Sequence, residues 1–274
     1  MIRKCYPNGK RKAFNATYDD GVLQDVRLVQ LMNRWGIRGT FNLNSELMES
    51  EFAWTHENGM TVRRLPASSV VSLYEGHEIA SHTLTHPYLT ELPEQEILRQ
   101  MGEDKKKLEK LFGREVKGFA VPFDGYNEAV ARCARKSGFT YARMSEFSLS
   151  LCPWQDRYYW KCGVFHLQPE LKEFVDGFLR TDEELALCQI VGHSYDLDAA
   201  SLWDTTEDIF RSVSSRDDIW LATNLEIVDY LMQMNRLELD RFWAVNHSDG
   251  ELWIEDHGRR IRLVPGEAYK EELI

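Results

Sequence analysis

Two adjacent aspartates, Asp19 and Asp20, come at the end of a predicted strand in the stretch NATYDDGVLQD at residues 15–25. Neighbouring carboxylates repel each other, so their adjacency needs a physical reason. One explanation is a turn followed by a helix N-cap, a role that aspartate suits well. The other is that a positive group lies between these carboxylates and the rest of a site. The two aspartates by themselves do not decide between these explanations.

Two histidines, His82 and His86, are spaced i, i+4 in the segment HTLTH. One helical turn, with Ser81 as its cap, would place both imidazoles on one face, where they can hold one metal ion. A carboxylate from another strand end would complete a His-His-Asp set with open coordination positions, as in catalytic zinc sites. In that arrangement one aspartate binds the ion, and its neighbour is left to accept a proton from water. The positive charge of the metal would also relieve the repulsion between the two carboxylates.

Further polar segments follow other predicted strands. Phe123 and Asp124 lie in PFDGY after the fourth strand, and His193 lies in GHSYD after the sixth. Functional groups of parallel α/β proteins gather at the carboxyl ends of the strands. We therefore expect these segments to meet the aspartates and the two histidines at one rim of the sheet.

The elements that must position these residues alternate between strand and helix patterns. Seven segments predict strands, at residues 12–18, 38–44, 77–81, 116–122, 139–144, 185–193 and 218–223. Apolar residues at helical spacing predict helices at residues 22–36, 68–76, 93–113, 127–138 and 224–235. This alternation predicts an α/β protein, a distorted (β/α)7 barrel, with an open doubly wound sheet as the alternative. Residues 145–184 fit the pattern poorly, and we expect an irregular excursion there.

A change of pattern near residue 237 predicts a second, smaller unit. Asp249-Gly250 and His257-Gly258 are turn signals between runs of alternating apolar and polar residues. We therefore expect residues 1–236 to form the barrel and residues 237–274 to form a small antiparallel β appendage packed on it.

The chain of 274 residues is 43% hydrophobic and 28% charged, which is typical of globular proteins that bury a full core. Its net charge of −11 argues against nucleic acid and anionic membranes as partners. No apolar run is long enough for a transmembrane helix, and the N-terminus lacks the apolar region of a secretory signal. The five cysteines are odd in number and contain no C-x-x-C motif, so we expect reduced thiols in a cytoplasmic protein.

Two motifs together resemble those of the polysaccharide deacetylase family, also called carbohydrate esterase family four. The family motif T-F-D-D-G has its counterpart in TYDDG at residues 17–21, and H-[ST]-x-x-H has its counterpart in HTLTH at residues 82–86. The resemblance covers roughly residues 12–235 and implies a distorted β/α barrel with metal-dependent N- or O-deacetylase activity. It also implies a role for each site residue: Asp20, His82 and His86 as metal ligands, Asp19 as general base and His193 as general acid.

The third family motif, R-x-P-[YF], is altered here. It reads AVPF, with Ala120 in the place of the arginine, while Phe123 would supply a backbone N–H towards the oxyanion. In the family, this arginine pairs with the catalytic aspartate. We expect Arg143, at the end of the fifth predicted strand, to take its role, with Arg157 as the second candidate.

The fourth family motif, an Asp/Trp wall of the site, has no clear counterpart. Asp156 and Trp160 in WQDRYYW are the candidates for it.

These observations predict a metal-dependent hydrolase that removes acetyl groups from an N-acetylated or O-acetylated sugar or polysaccharide. Zinc suits two imidazoles and a carboxylate, and cobalt, nickel or manganese could replace it. Aromatic and basic side chains that could contact a sugar substrate are Trp54, Tyr126, Tyr195 and Arg143. The alternatives are a non-catalytic carbohydrate-binding barrel and a hydrolase of another small amide or ureide on the same scaffold. The pattern does not predict an oligomeric state.

Overall fold

The computed structural model describes residues 2–49, 51–123, 125–152 and 156–271. Numbered along the chain, the strands are β1 (Arg3–Cys5), β2 (Lys12–Asp19), β3 (Gly39–Leu43), β4 (Ala53–Thr55), β5 (Thr61–Arg63), β6 (Glu78–Ser81), β7 (Gly118–Ala120), β8 (Tyr141–Phe147), β9 (Trp160–Cys162), β10 (Val164–Phe165), β11 (Ala186–Gly192), β12 (Ile219–Leu221), β13 (Leu237–Leu239), β14 (Trp243–Asn246), β15 (Leu252–Asp256), β16 (Arg259–Leu263) and β17 (Ala268–Lys270). The α-helices are α1 (Asp25–Arg34), α2 (Ala67–Leu73), α3 (Glu94–Phe112), α4 (Glu128–Lys136), α5 (Leu171–Arg180), α6 (Ser194–Ala199), α7 (Trp203–Ser214) and α8 (Asn224–Met234).

A parallel sheet forms the centre of the protein, in the order β10-β11-β2-β3-β6-β7-β8-β9, and β12 also pairs with β2. The two ends of this order, β9 and β10, follow each other in the chain with only Gly163 between them. A Cβ at Gly163 would lie 2.2 Å from the carbonyl oxygen of Gln189, so glycine permits the close approach to β11. The sheet therefore nearly closes on itself, and the predicted α/β barrel is confirmed.

The expectation of an irregular excursion at residues 145–184 was wrong in part. This segment contains β9, β10 and the helix α5. The two strands have three and two residues, which is too short for an alternating pattern to stand out in the sequence.

The central strand β2 has no exposed residue along its whole length. Strands of a parallel sheet that is covered on both faces are buried in this way, which explains a run of small and apolar residues without clean alternation. Helices cover the outside with one apolar face. In α1 this face consists of Leu28, Val29, Leu31 and Met32. None of the helices within the described ranges is both long enough and apolar enough to cross a membrane.

The predicted C-terminal appendage contains five short strands within its described part, which ends at residue 271. One small sheet has the order β13-β14-β17, and β15 and β16 form another with the N-terminal strand β1. The sequence did not indicate this pairing of the two ends of the chain. Apolar residues of the second sheet, Leu252 and Ile254, share a buried cluster with Ala13, Tyr141 and Leu187 of the barrel.

Candidate active site

Three potential metal ligands converge at the carboxyl ends of β2 and β6. Ligand atoms of Asp20, His82 and His86 all lie within 4.8 Å of one another. The two Nε2 atoms of His82 and His86 are 3.1 Å apart, and Nε2 of His86 is 3.8 Å from Oδ1 of Asp20. Asp20 and His82 are buried, whereas His86 is partly exposed. The structure therefore brings together the three residues that the sequence predicts as ligands.

The segment that carries the two histidines is a loop and not the helical turn that the spacing predicts. Thr83 has a φ of 71° and His86 has a φ of 56°, both in the left-handed region. The Thr83 hydroxyl accepts a hydrogen bond of 3.1 Å from the backbone N–H of His86. Two left-handed residues bend the chain sharply enough to bring both imidazoles to one point without helical geometry.

The histidines present neutral nitrogens to this point. Burial lowers the pKa of His82 to about 3, and it also lowers the pKa of His86. The Nδ1–H of His82 donates to the carbonyl oxygen of Ala120 at 2.9 Å, which leaves Nε2 as the nitrogen with a lone pair. Two facing imidazole nitrogens with a carboxylate beside them are a donor set that fits a divalent ion such as zinc.

The two aspartates have different surroundings. Asp20 has a φ of 84°, which turns the chain at the end of β2. Burial by itself would raise the pKa of Asp20, but Arg64 and the nearby imidazoles outweigh it, so the pKa lies below its usual value. Arg64 Nη2 is 3.0 Å from Asp20 Oδ1.

Asp19, the last residue of β2, contacts a different arginine. Oδ1 of Asp19 accepts hydrogen bonds from Arg143 Nη2 and from the amide nitrogen of Asn42, the latter at 2.6 Å. Burial opposes ionisation, yet the Arg143 charge and the nearby imidazoles hold the pKa of Asp19 far below its usual range. Arg143 on β8 lies opposite Ala120 on β7 in the sheet register. The guanidinium therefore comes from the strand next to the one that carries the altered third motif.

His193 lies at the end of β11, on the other side of Asp20. Its Nε2 is 3.9 Å from Asp20 Oδ2, and its Nδ1 is 3.0 Å from Asp196 Oδ2. Burial disfavours the imidazolium, but the hydrogen bond with Asp196 and the charges of both site aspartates raise the pKa of His193. The ring of Tyr195 stacks on the His193 ring with centroids 4.8 Å apart. Asp196 thus orients the His193 ring from its Nδ1 side, and the raised pKa favours the protonated imidazole.

Aromatic side chains surround this cluster. Trp54, on β4, contacts Tyr195 edge-to-face at 5.4 Å. Phe123, with a φ of 54°, has its ring 4.4 Å from that of His86. Beside Phe123 is a cavity of about 660 Å³, which Tyr126 also lines. Of the predicted substrate contacts, Tyr195 therefore lies against His193, Trp54 against Tyr195 and Tyr126 beside this cavity. Arg143 is instead buried against Asp19.

The candidates for the fourth motif lie elsewhere. Trp160 packs edge-to-face on Tyr141, in the buried cluster that also contains Leu252 and Ile254. Asp156 is 3.6 Å from Arg135 at the surface. Arg157 has its guanidinium over the Tyr158 ring at 5.0 Å and is not the partner of Asp19. Asp124 lies outside the described residues.

Four polar residues of the site were missed by sequence reasoning, namely Asn42, Asn44, Arg64 and Asp196. Asp196 follows His193 by three residues at the start of α6, a spacing that could have indicated the pair. Arg64 and Asn44 had no comparable signal, because their contacts join segments that are 20 to 44 residues apart in the chain.

Comparison with known proteins agrees with the resemblance of the two motifs to those of polysaccharide deacetylases. The family model described as polysaccharide deacetylase matches residues 7–142. The peptidoglycan-N-acetylmuramic acid deacetylase PdaC of Bacillus subtilis is 31% identical over 70 residues, which are 26% of this chain and 15% of the length of that protein.

Solved structures share the fold at low sequence identity. A protein from Mycobacterium smegmatis described as a polysaccharide deacetylase superposes with a TM-score of 0.59 at 15% identity, covering 100% of this chain and 99% of the other. The PdaC structure from Bacillus subtilis superposes with a TM-score of 0.54 at 16% identity, covering 84% of this chain and 95% of the other. Residues 7–142, which carry the two motifs at the ends of β2 and β6, therefore match the polysaccharide deacetylase family.

Proposed function

We propose that the protein is a metal-dependent deacetylase that hydrolyses the acetamido group of an N-acetylated sugar or polysaccharide. The observation that carries the proposal is the convergence of Asp20, His82 and His86 within 4.8 Å of one another. Asp19 precedes Asp20 in the chain, and His193 Nε2 lies 3.9 Å from Asp20 Oδ2. Zinc is our first choice of ion for this donor set. When bound, the ion would polarise the substrate carbonyl and activate water.

Asp19 is the residue that we assign to proton acceptance from the attacking water. Arg143 and Asn42 both donate to its Oδ1, so the carboxylate is held in one orientation. Its depressed pKa keeps it ionised, which a proton acceptor requires. Arg143 acts in this scheme through Asp19 and is a positioning residue.

His193 is the residue that we assign to proton donation. As the C–N bond breaks, the leaving nitrogen needs a proton, and an imidazolium held near the site can supply one from Nε2. Asp196 at Nδ1 favours the charged ring and orients it. The products are acetate and the free amine, and the backbone N–H of Phe123 would stabilise the developing oxyanion.

The proposed substrate contacts are aromatic. Trp54 packs on Tyr195, which stacks on His193, and Phe123 and Tyr126 line a cavity next to His86. Aromatic faces suit the apolar faces of sugar rings and leave the hydroxyls available for hydrogen bonds. These contacts favour a carbohydrate over a small ureide as the substrate.

The direct test is acetate release from N-acetylglucosamine oligomers by the zinc-loaded protein. We expect turnover that a chelator abolishes and added zinc restores. Asp19→Asn should remove turnover but retain zinc, which separates loss of chemistry from loss of the ion. The exposed Asp249→Asn, far along the chain in the appendage, is the matched control.

A substrate panel separates the proposed function from its alternatives. N-acetylated peptidoglycan fragments test both N-acetylglucosamine and N-acetylmuramic acid, and acetylated xylan tests O-deacetylation. Binding of oligomers without acetate release would favour a carbohydrate-binding barrel. Turnover of a cyclic ureide alone would favour the other hydrolase.

A further inference from the structure

The guanidinium of Arg64 is buried against the ligand Asp20. Arg64 follows β5 and is 7% exposed. Its Nη2 is 3.0 Å from Asp20 Oδ1, and its Nη1 donates to the backbone carbonyl of Asp20. Nη1 also donates to Oδ1 of Asn44 at 2.9 Å. The guanidinium carbon lies 5.2 Å from the centre of the Trp54 ring on the β4–β5 hairpin.

Asn44 continues these contacts towards the histidines. Its amide nitrogen donates to the carbonyl oxygen of His82 and, at 3.0 Å, to that of Thr83. Asn44 is 1% exposed, so these hydrogen bonds are shielded from water. Arg64 and Asn44 therefore form a continuous hydrogen-bonded connection from the loop after β2 to the loop after β6.

Two of the carbonyls held in this way belong to strained residues. Asp20 has a φ of 84° and Thr83 has a φ of 71°, and neither is a glycine. Such conformations persist when surrounding contacts over-determine them. The hydrogen bonds from Arg64 and Asn44 are therefore made to backbone carbonyls in the two turns that orient Asp20 and the histidines.

We propose that Arg64 and Asn44 act as a bracket that positions the three metal ligands before the ion binds. The proposal rests on the proposed function, because it concerns the ion that Asp20, His82 and His86 would hold. Both are positioning residues: Arg64 contacts the ligand carboxylate and backbone of Asp20, and Asn44 contacts only backbone at His82.

An arginine next to a cation site has two opposite effects. Its charge competes with the ion for the Asp20 carboxylate, which weakens metal binding. Its planar fork holds two acceptors of Asp20 and the amide of Asn44, which strengthens binding by removing disorder from the ligands. Loss of groups that orient metal ligands typically costs about 10- to 100-fold in affinity. We infer that this positioning effect exceeds the charge effect here.

Lysine at position 64 separates the two effects, since it keeps the charge but lacks the fork. The experiment measures zinc affinity by competition with a chromophoric chelator, for the wild-type protein and for Arg64→Lys, Arg64→Ala and Asn44→Ala. We expect all three variants to bind zinc about 10- to 100-fold more weakly. Arg63→Ala, which removes an exposed arginine from the neighbouring position, should leave the affinity unchanged.

The double variant Arg64→Lys/Asn44→Ala adds a second criterion. If the two residues act as one unit, its loss in affinity should be smaller than the product of the two single losses. Circular dichroism and thermal unfolding with a chelator present check that each variant is folded. Should Arg64→Ala fail to fold, Arg64→Lys and Asn44→Ala carry the test.

The outcomes are distinct. Tighter zinc binding by Arg64→Ala with wild-type affinity for Arg64→Lys would mean that Arg64 is only a competing charge, and the bracket would be rejected. Unchanged affinity in all variants would reject it as well. A wild-type protein that binds no zinc would instead remove the proposed metal site itself. Acetate release is not needed for any of these decisions.

Discussion

Arg143 and Asp19 form a buried ion pair at the mouth of the barrel, with the guanidinium Nη2 of one against the carboxylate Oδ1 of the other. The side chain of Arg143 is 1% exposed and that of Asp19 is 9% exposed. The pair joins residues 124 positions apart, from two strands that are not neighbours in the sheet. In the proposed metal-dependent mechanism, Arg143 supplies the positive charge beside Asp19 that the alanine at position 120 does not supply.

Arg143→Ala is expected to lower both stability and turnover. Removing one partner of a buried ion pair typically costs about 3–5 kcal/mol, because the other charge stays buried without compensation. Urea unfolding measures this loss, and acetate release measures the fall in kcat, while zinc content should not change. The double variant Asp19→Asn/Arg143→Ala removes both charges, so its loss of stability should be smaller than the sum of the single losses. A sum that is strictly additive would mean that the pair does not couple.

His193 and His82 are expected to respond differently to alanine. His193→Ala should keep zinc but reduce kcat on an unactivated amide by about 100- to 10,000-fold, the usual contribution of a general acid. His82→Ala should lose both zinc and turnover. Metal analysis and acetate release distinguish the two patterns. The exposed His247→Ala is the matched control, and near-normal turnover by His193→Ala would remove that residue from the mechanism.

Asp196→Asn is expected to reduce kcat without a matching change in KM. Asp196 Oδ2 is 3.0 Å from His193 Nδ1 and 3.5 Å from His166 Nε2, so the carboxylate orients the donor ring from within the protein. The loss should not exceed that of His193→Ala. Nitrogen NMR of His193 should show a changed tautomer or protonation state. Asp198→Asn, exposed on the same helix, is the control, and an unchanged NMR signal in Asp196→Asn would contradict the positioning role.

Glu78 is expected to make stability depend on pH. Burial raises its pKa from 4.5 to about 7, although Thr40, Tyr141 and the Leu225 N–H all donate to the carboxylate. Because the folded state holds the proton more tightly than the unfolded state, stability falls as pH rises from about 4.5 to about 7. The glutamine of the Glu78→Gln variant does not ionise, so the variant lacks this dependence of stability on pH.

The difference in unfolding free energy between Glu78→Gln and the wild-type protein should therefore grow in favour of the variant across that interval and level off above it. Urea titrations between pH 5 and pH 8 measure this difference. Glu57→Gln, on an exposed turn, should show no such trend. A constant difference across the interval would show that Glu78 does not carry the effect.

The sequence by itself determined the frame of the barrel and pointed to the three residues that we propose as metal ligands. Each of the seven predicted strands overlaps an observed one, because burial on both faces leaves a local run of apolar and small residues. The motifs TYDDG and HTLTH combine residue type with spacing, and Asp20, His82 and His86 converge as those motifs predict. Residue type and spacing are local properties of the chain, so they can be recognised without knowledge of the fold.

Only the tertiary structure decided which cations face the carboxylates and how the histidine segment bends. The sequence makes Arg143 the first candidate and Arg157 the second, and only the fold places the Arg143 guanidinium against Asp19, 124 residues away. Arg64 has no signal in the sequence that identifies it, since it reaches Asp20 from a hairpin 44 residues away. The spacing of His82 and His86 suits a helix, but Thr83 and His86 adopt left-handed conformations within the loop after β6. The physical reason is the same in both cases. Contacts between distant segments set the energy of these conformations, and a local pattern does not contain those contacts.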